Sequence, residues 1–257
     1  MIKAAFFDVD GTLLSHKSRS VQQSARNAID ALKARGIKCV VATGRQLPEM
    51  EKLPVADIAF DGYITMNGQL IYDDRKRVIK GTPITGELKD ALLRMFGERK
   101  LPVLLVEKDR MYLNFVNDHV VAAQADISSA IPAVDTYSGR EIYQVCVYLT
   151  ERQEACLEPL RPLCSINRWH WGGVDITTRG NHKGVGVREY LESQGFGPEE
   201  AIAFGDAEND VEMLRLAGIG VAMGNGTPEA KAAADYVTSD IDENGIENAL
   251  RYFELIG

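Results

Sequence analysis

Apolar residues in this chain group in two ways. Some form short unbroken runs, and others recur every three or four positions between polar residues. Lys3-Ala4-Ala5-Phe6-Phe7 is a run of the first kind and predicts a buried strand, closed by Gly11. Val21, Ala25, Ala28, Ile29 and Leu32 follow helical spacing, and Gly36 marks a helix stop. Ile37-Lys38-Cys39-Val40-Val41-Ala42 is a second buried run. Strand, helix and strand in this order form a βαβ unit, which implies a parallel sheet. Tyr63-Ile64-Thr65-Met66 predicts a third strand. It runs into Asn67-Gly68, a hairpin signal, with Gln69-Leu70-Ile71-Tyr72 as the return strand.

The texture changes between about Thr82 and Gly180. Leu88, Ala91, Leu92, Met95 and Phe96 mark a helix, and 103–106 and 111–115 read as a strand pair. Ile142–Tyr148 alternates, which predicts a sheet with one polar face. After Lys183 the first texture returns. A helix carries Val187, Tyr190 and Leu191, and Ala201-Ile202-Ala203-Phe204 is a strand. A helix with Val211, Leu214 and Leu216, the strand Ile219–Ala222 and an amphipathic last helix follow. The fold class expected is α/β. A Rossmann-like parallel sheet with helices on both faces comprises residues 1–81 and 181–257. An inserted α/β cap domain comprises residues 82–180.

At 257 residues, 45% hydrophobic and 26% charged, the composition is that of an ordinary globular protein with a sizeable core. The net charge of −8 disfavours nucleic acid and anionic membranes as partners. An anionic substrate would have to be held by local positive groups or a metal. Cys39, Cys146, Cys156 and Cys164 show no CxxC spacing, which points away from a disulfide framework or zinc site. Asp8 and Asp10 interrupt any apolar leader, and no apolar run is long enough to span a bilayer. The expectation is a cytoplasmic enzyme, monomeric or a small homo-oligomer, acting on a small molecule.

The candidate chemistry sits where predicted strands end, which is where open α/β sheets bind ligands. Asp8 and Asp10 lie two apart and so face one side. An ordinary turn would also use these residues, and a calcium loop would begin alike. That loop needs Gly at its sixth position and Glu at its twelfth, where this chain has Leu13 and Arg19. Thr43, Gly44 and Arg45 offer a hydroxyl, a backbone N–H, close backbone approach and a fixed charge, as a phosphate requires. A helix N-cap is the simpler use of Thr43. Lys183, between glycines, is a phosphate anchor or a surface lysine, with His182 a solvated loop residue. Asp206, Glu208 and Asp210 either complement a helix N-terminus or, with Asp8 and Asp10, hold a hard cation such as Mg²⁺.

Together, Asp8-Val9-Asp10-Gly11-Thr12, Thr43-Gly44-Arg45, Lys183 and Gly205-Asp206-Ala207-Glu208-Asn209-Asp210 resemble the motifs of the haloacid dehalogenase-like (HAD) hydrolases. The resemblance spans the whole chain. The insert and Ala222-Met223-Gly224-Asn225-Gly226 look like the Cof-type branch of sugar phosphatases with a type C2 cap. The resemblance implies that Asp8 is a nucleophile forming an aspartyl-phosphate. It makes Asp10 the acid that protonates the leaving alcohol and the base that activates water. Asp8, the Asp10 carbonyl and Asp206 are the implied Mg²⁺ ligands, with Asn209 and Asp210 supporting. Thr43, Gly44, Arg45, Asn67, Lys183 and Asn209 are the implied phosphate and substrate contacts. The cap is expected to close over the site. Its Trp169-His170-Trp171 run would offer aromatics to a sugar or pack internally, and Glu107 and Asp175 would accept sugar hydroxyls. The implied activity is a Mg²⁺-dependent phosphatase of small phosphorylated metabolites, with sugar phosphates as the expected substrates. A phosphomutase and a non-catalytic phospho-ligand sensor are the alternatives.

Overall fold

The computed structural model describes residues 1–127 and 129–257. In chain order the elements are β1 (Ala4–Phe7), α1 (Gln23–Ala34), β2 (Lys38–Ala42), α2 (Leu47–Met50), β3 (Gly62–Thr65), β4 (Leu70–Asp73) and β5 (Val78–Gly81). Then come α3 (Gly86–Glu98), β6 (Val103–Val106), β7 (Met111–Leu113), α4 (Asp118–Asp126), β8 (Gln144–Tyr148), β9 (Cys164–His170) and β10 (Gly173–Thr178). The last group is α5 (Lys183–Gln194), β11 (Ala201–Gly205), α6 (Val211–Leu216), β12 (Ile219–Ala222), α7 (Pro228–Ala233), β13 (Tyr236–Val237) and α8 (Gly245–Tyr252). They form two compact units, Met1–Lys80 with His182–Gly257, and Gly81–Asn181.

The first unit is built on a sheet in the order β13-β12-β11-β1-β2-β3-β4-β5. The pairs from β13 through to β3 are parallel, and β4 runs antiparallel to β3. Alternate residues of each central strand enter different cores, as a period of two requires. Ala5 and Phe7 of β1, Cys39 and Val41 of β2 and Phe204 of β11 pack with Ile29 and Leu32 of α1 and Leu250 of α8. Ala4, Phe6, Val40 and Ala203 pack with Val187 and Tyr190 of α5 and Met213 of α6. With both faces covered, β1, β11 and β2 are apolar apart from Lys38 at the start of β2. Because β11, β1 and β2 are parallel neighbours, the loops after them emerge side by side at one edge.

The second unit is an antiparallel sheet in the order β7-β6-β8-β10-β9. Leu88, Leu92 and Phe96 of α3 pack on Val103, Leu105, Val145, Val147 and Ile176. One expectation needs correction. β8 has no solvent-exposed face, because all five of its residues, Gln144 included, are buried. As the central strand it is covered on its alternate side too, where the Tyr148 hydroxyl accepts from Gln124 Nε2 and the ring meets Trp169 edge-on. Exposure instead appears on the edge strand β9, where six of seven residues are half-buried.

Two further departures bear on the site. The return strand pairs Thr65 with Leu70, so the Asn67-Gly68 connection is a four-residue turn rather than a two-residue hairpin. Met66 and Asn67 both adopt left-handed backbone there, with φ of 50° and 54°. Lys183 does not end a strand; it is the first residue of α5. No helix among the described residues is long and apolar enough to cross a membrane.

Candidate active site

Asp8 follows β1 directly, and its N–H donates to the Phe204 carbonyl of β11 at 3.0 Å. This bond locks the two strand exits together. Asp206 and Asp210 follow β11. Asp8 and Asp210 are buried, and Lys183 is fully buried between them. Its Nζ donates to Asp8 Oδ1 at 2.5 Å and to Asp210 Oδ1 at 2.7 Å. A buried ammonium is tolerated only when paired. Burial alone would pull the Lys183 pKa down; Asp210 and Asp8 outweigh it and hold it above the ordinary value. Lys183 is thus no surface lysine.

The acids are less well served. Asp8, Asp206 and Asp210 each offer an oxygen within 4.8 Å of the others. Burial and the nearby Asp210 charge push the Asp8 carboxyl well above its ordinary value, against the opposing pull of Lys183. The same two causes push Asp206 up to about 6. Asp210 is the best partnered of the three. Its second oxygen accepts the backbone N–H groups of Asp206 and Ala207 at 2.9 and 3.0 Å, which shapes the loop carrying Asp206. Thr12 Oγ1 donates to Asp206 Oδ1 at 3.0 Å. Three mutually repelling hard oxygen donors facing one ammonium suit a small divalent cation. Glu208, grouped with them on spacing, is exposed instead.

The remaining candidates form a second layer. Arg45 clamps Asp10 with both arms of its fork, Nε to Oδ2 at 2.7 Å and Nη2 to Oδ1 at 2.8 Å. Arg45 is therefore engaged rather than free. The Thr43 hydroxyl accepts the Arg45 N–H at 3.1 Å. Thr43 cannot lend its own N–H to a ligand, because that group donates to the Ile64 carbonyl at 2.9 Å in continuation of the sheet. Asn67 is buried, and its Oδ1 accepts Asn209 Nδ2 at 3.1 Å. A Cβ on Gly44 would lie 3.2 Å from the Asn67 amide, so the absent side chain there makes room for it. Gly11 has φ of +89°, and a Cβ on it would lie 2.2 Å from Asp206 Oδ2. Only glycine fits both the angle and the approach. Thr12 was missed as a site residue because nothing local in Gly11-Thr12-Leu13 signals a partner 194 positions away. His182 stays in the loop before α5 but is half-buried rather than fully solvated, with burial lowering its pKa.

In the second unit the sequence candidates separate. Glu107 is not free to meet a ligand, since it accepts from Arg110 Nε at 2.9 Å and Tyr112 Oη at 2.7 Å. Trp171 is half exposed, with Nε1 donating to Asp126 at 2.8 Å. Trp169 stacks on His170, with ring centroids 5.4 Å apart. Asp175 lies on β10, in register with Cys146 and Asn167.

The family of haloacid dehalogenase-like hydrolases matches residues 5–250. The solved structure of BT1666 from Bacteroides thetaiotaomicron, described among phosphatases of the HAD superfamily, has a TM-score of 0.91 and 31% identity. That match covers 100% of this chain and 96% of the other. BT4131, described as a HAD subclass IIB sugar phosphatase, matches with TM-score 0.87 and 35% identity over 99% of this chain and 100% of its own. The pyridoxal phosphate phosphatase YbhA of Escherichia coli (strain K12) is 28% identical over 250 residues, 91% of this chain and 92% of YbhA.

Proposed function

The chain belongs to the haloacid dehalogenase-like hydrolase family, and from that premise we propose a phosphatase of small phosphorylated metabolites, sugar phosphates foremost. The reaction runs through an aspartyl-phosphate on Asp8. The observation that carries this reading is the crowded set Asp8, Asp206, Asp210 and Lys183 at the exits of β1 and β11. Asp8 attacks phosphorus, splitting one hard displacement into two easier ones. Asp10 protonates the departing alcohol oxygen and later takes a proton from the attacking water, while Arg45 fixes its direction. Lys183, Thr43, Gly44, Asn67 and Asn209 surround the phosphoryl oxygens with fixed donors. Asp210 orients Lys183 and the Asp206 loop.

The hard oxygen set fits Mg²⁺, held by Asp8, Asp206 and the Asp10 carbonyl. When bound, the ion supplies positive charge against the phosphoryl oxygens and relieves the repulsion among the acids. The second unit is the cap in this reading and selects the leaving group. BT4131 and YbhA, named for different phosphorylated substrates, both support the phosphatase class. The test is phosphate release from a panel of phosphorylated sugars, nucleotides and cofactors, with and without chelation. Sugar phosphates should lead the panel, and exhaustive chelation should abolish release until Mg²⁺ is restored. Full turnover after chelation rejects the metal, and a flat response to all sugars rejects the substrate class.

A further inference from the structure

The turn Met223–Thr227 lies outside the roles assigned so far, yet it grips both acid-bearing loops. Asn225 Nδ2 donates to the Gly11 carbonyl at 2.8 Å, across 214 positions of sequence. Asn225 Oδ1 accepts the Ile241 N–H at 2.9 Å. One partner is only an acceptor and the other only a donor, so a single orientation of the amide satisfies both. Two residues on, the Thr227 N–H donates to the Asp206 carbonyl at 2.7 Å. Between them, a Cβ on Gly226 would stand 3.0 Å from that same carbonyl, so glycine is what lets the turn come this close. The Gly226 N–H closes the turn onto the Met223 carbonyl at 2.9 Å.

The two loops so held also touch each other. Gly11 approaches the Asp206 carboxylate closely, and Thr12 donates to it. The position of the Gly11–Thr12 peptide thus bears on where Asp206 sits. Asn225 is itself exposed. Its side chain buries little apolar area, so its bonds contribute geometry more than core stability.

We propose that Asn225 is a positioning residue: its amide, with the Gly226-Thr227 backbone beside it, sets the Asp8–Thr12 loop against the Asp206 loop. The role rests on the phosphatase reading above, because it matters only if those loops carry the reacting groups. Misplacing such groups by about 1 Å costs on the order of a hundredfold in rate. Asn225 touches neither phosphoryl group nor leaving group in this role, so its loss acts on kcat.

The experiment compares N225A, N225D and D8N with the parent on p-nitrophenyl phosphate. A second readout is the Mg²⁺ concentration that half-saturates the rise in melting temperature, which needs no turnover. N225A should lower kcat about ten- to a hundredfold with KM within about threefold, and should raise the Mg²⁺ midpoint about tenfold. N225D has the size of asparagine but sets a carboxylate oxygen against the Gly11 carbonyl, so it should fall at least as far. N225D carries the test should N225A fail to fold. Parental kcat and Mg²⁺ midpoint in a folded Asn225 variant, with D8N inactive, overturn this role alone. A lowered melting temperature with unchanged kcat also overturns it, leaving Asn225 merely structural. A parent that releases no phosphate overturns the phosphatase reading, and an active D8N overturns Asp8 as its nucleophile; either result takes this inference with it.

Discussion

In the first unit Asp8, Asp206 and Asp210 share one ammonium, that of Lys183. In the second, Glu107 alone is ringed by Arg110 at 2.9 Å and Arg140 at 3.9 Å, with Tyr112 donating as well. Asp8 and Glu107 are similarly buried, at 5% and 2% exposure. Their carboxyls move in opposite directions. Burial pushes both up. For Asp8 the neighbouring acids add to that push. For Glu107 the hydrogen bonds from Arg110 and Tyr112, and the arginine charges, outweigh it and leave the carboxyl below its ordinary value. A carboxylate whose charge is already answered within the fold holds the fold together. One whose charge is left over is poised for something that arrives. Burial alone does not tell the two apart; the local charge balance does.

The sharpest way to break this comparison is to neutralise one acid of each kind. Asp8→Asn should cut phosphate release by at least about a thousandfold, since a carboxamide cannot take the nucleophile role proposed for Asp8. Glu107→Gln should leave turnover of a small aryl phosphate within about threefold. It should instead lower unfolding stability by about 1–3 kcal/mol, because two guanidinium groups and a phenol lose a charged acceptor. Denaturant melts and initial rates on both variants check this. An active Asp8→Asn, or an inactive but stable Glu107→Gln, breaks the division.

A smaller effect separates the same acids by pH. Asp206 rises from 3.8 to about 6 on folding, so the folded protein holds its proton longer than the unfolded chain. In metal-free protein this makes stability fall as pH rises from about 4 to about 6. Glu107 lies below its ordinary 4.5, so its contribution is present above that value and is lost as pH falls through the lowered one. The slopes have opposite sign. Asp206→Asn should remove the first and Glu107→Gln the second in urea midpoints measured from pH 3 to 7. Slopes of one sign in both differences would contradict the charge accounting.

The smallest expected effect concerns thiols and reports on opening of each unit. Cys39 in the first unit is pushed up to about 12, and Cys164 in the second up to about 11, chiefly by burial. Cys146 is buried and Cys156 exposed. At pH 8 iodoacetamide should modify Cys156 alone in the native protein and all four cysteines after unfolding. Mass spectrometry of a time course shows which buried thiol follows first. Early labelling of Cys39 would mean that the acid-bearing unit is the looser one.

Much of this was legible in the order of residues. Strands such as Ala4–Phe7 and Ile202–Phe204 announce themselves because a sheet covered on both faces needs continuous apolar runs. α1 announces itself because Ala25, Ile29 and Leu32 share one face of the helix. These are local signals, carried by neighbours within a few positions. The acids, Thr43 and Lys183 could be named as candidates because they stand just outside such elements. β8 was misread for the same reason: its alternation is local, whereas cover on its second face comes from α4 and β9.

What the order of residues left open was every pairing across the chain. It suggested a free Arg45, an accessible Glu107 and a solvated His182. It could not show that Arg45 would spend its fork on Asp10, 35 positions away, or that Asn67 would meet Asn209 across 142. Nor could it show Asn225 reaching Gly11. Those partners are chosen by the strand order β11-β1-β2-β3, which brings distant loops to one edge. The balance of charge around Asp8 and Glu107 depends on distances of a few ångströms. Only the packed sheet and its helices determine such distances, because Coulomb energies and hydrogen bonds change steeply over that range while sequence separation carries no length at all.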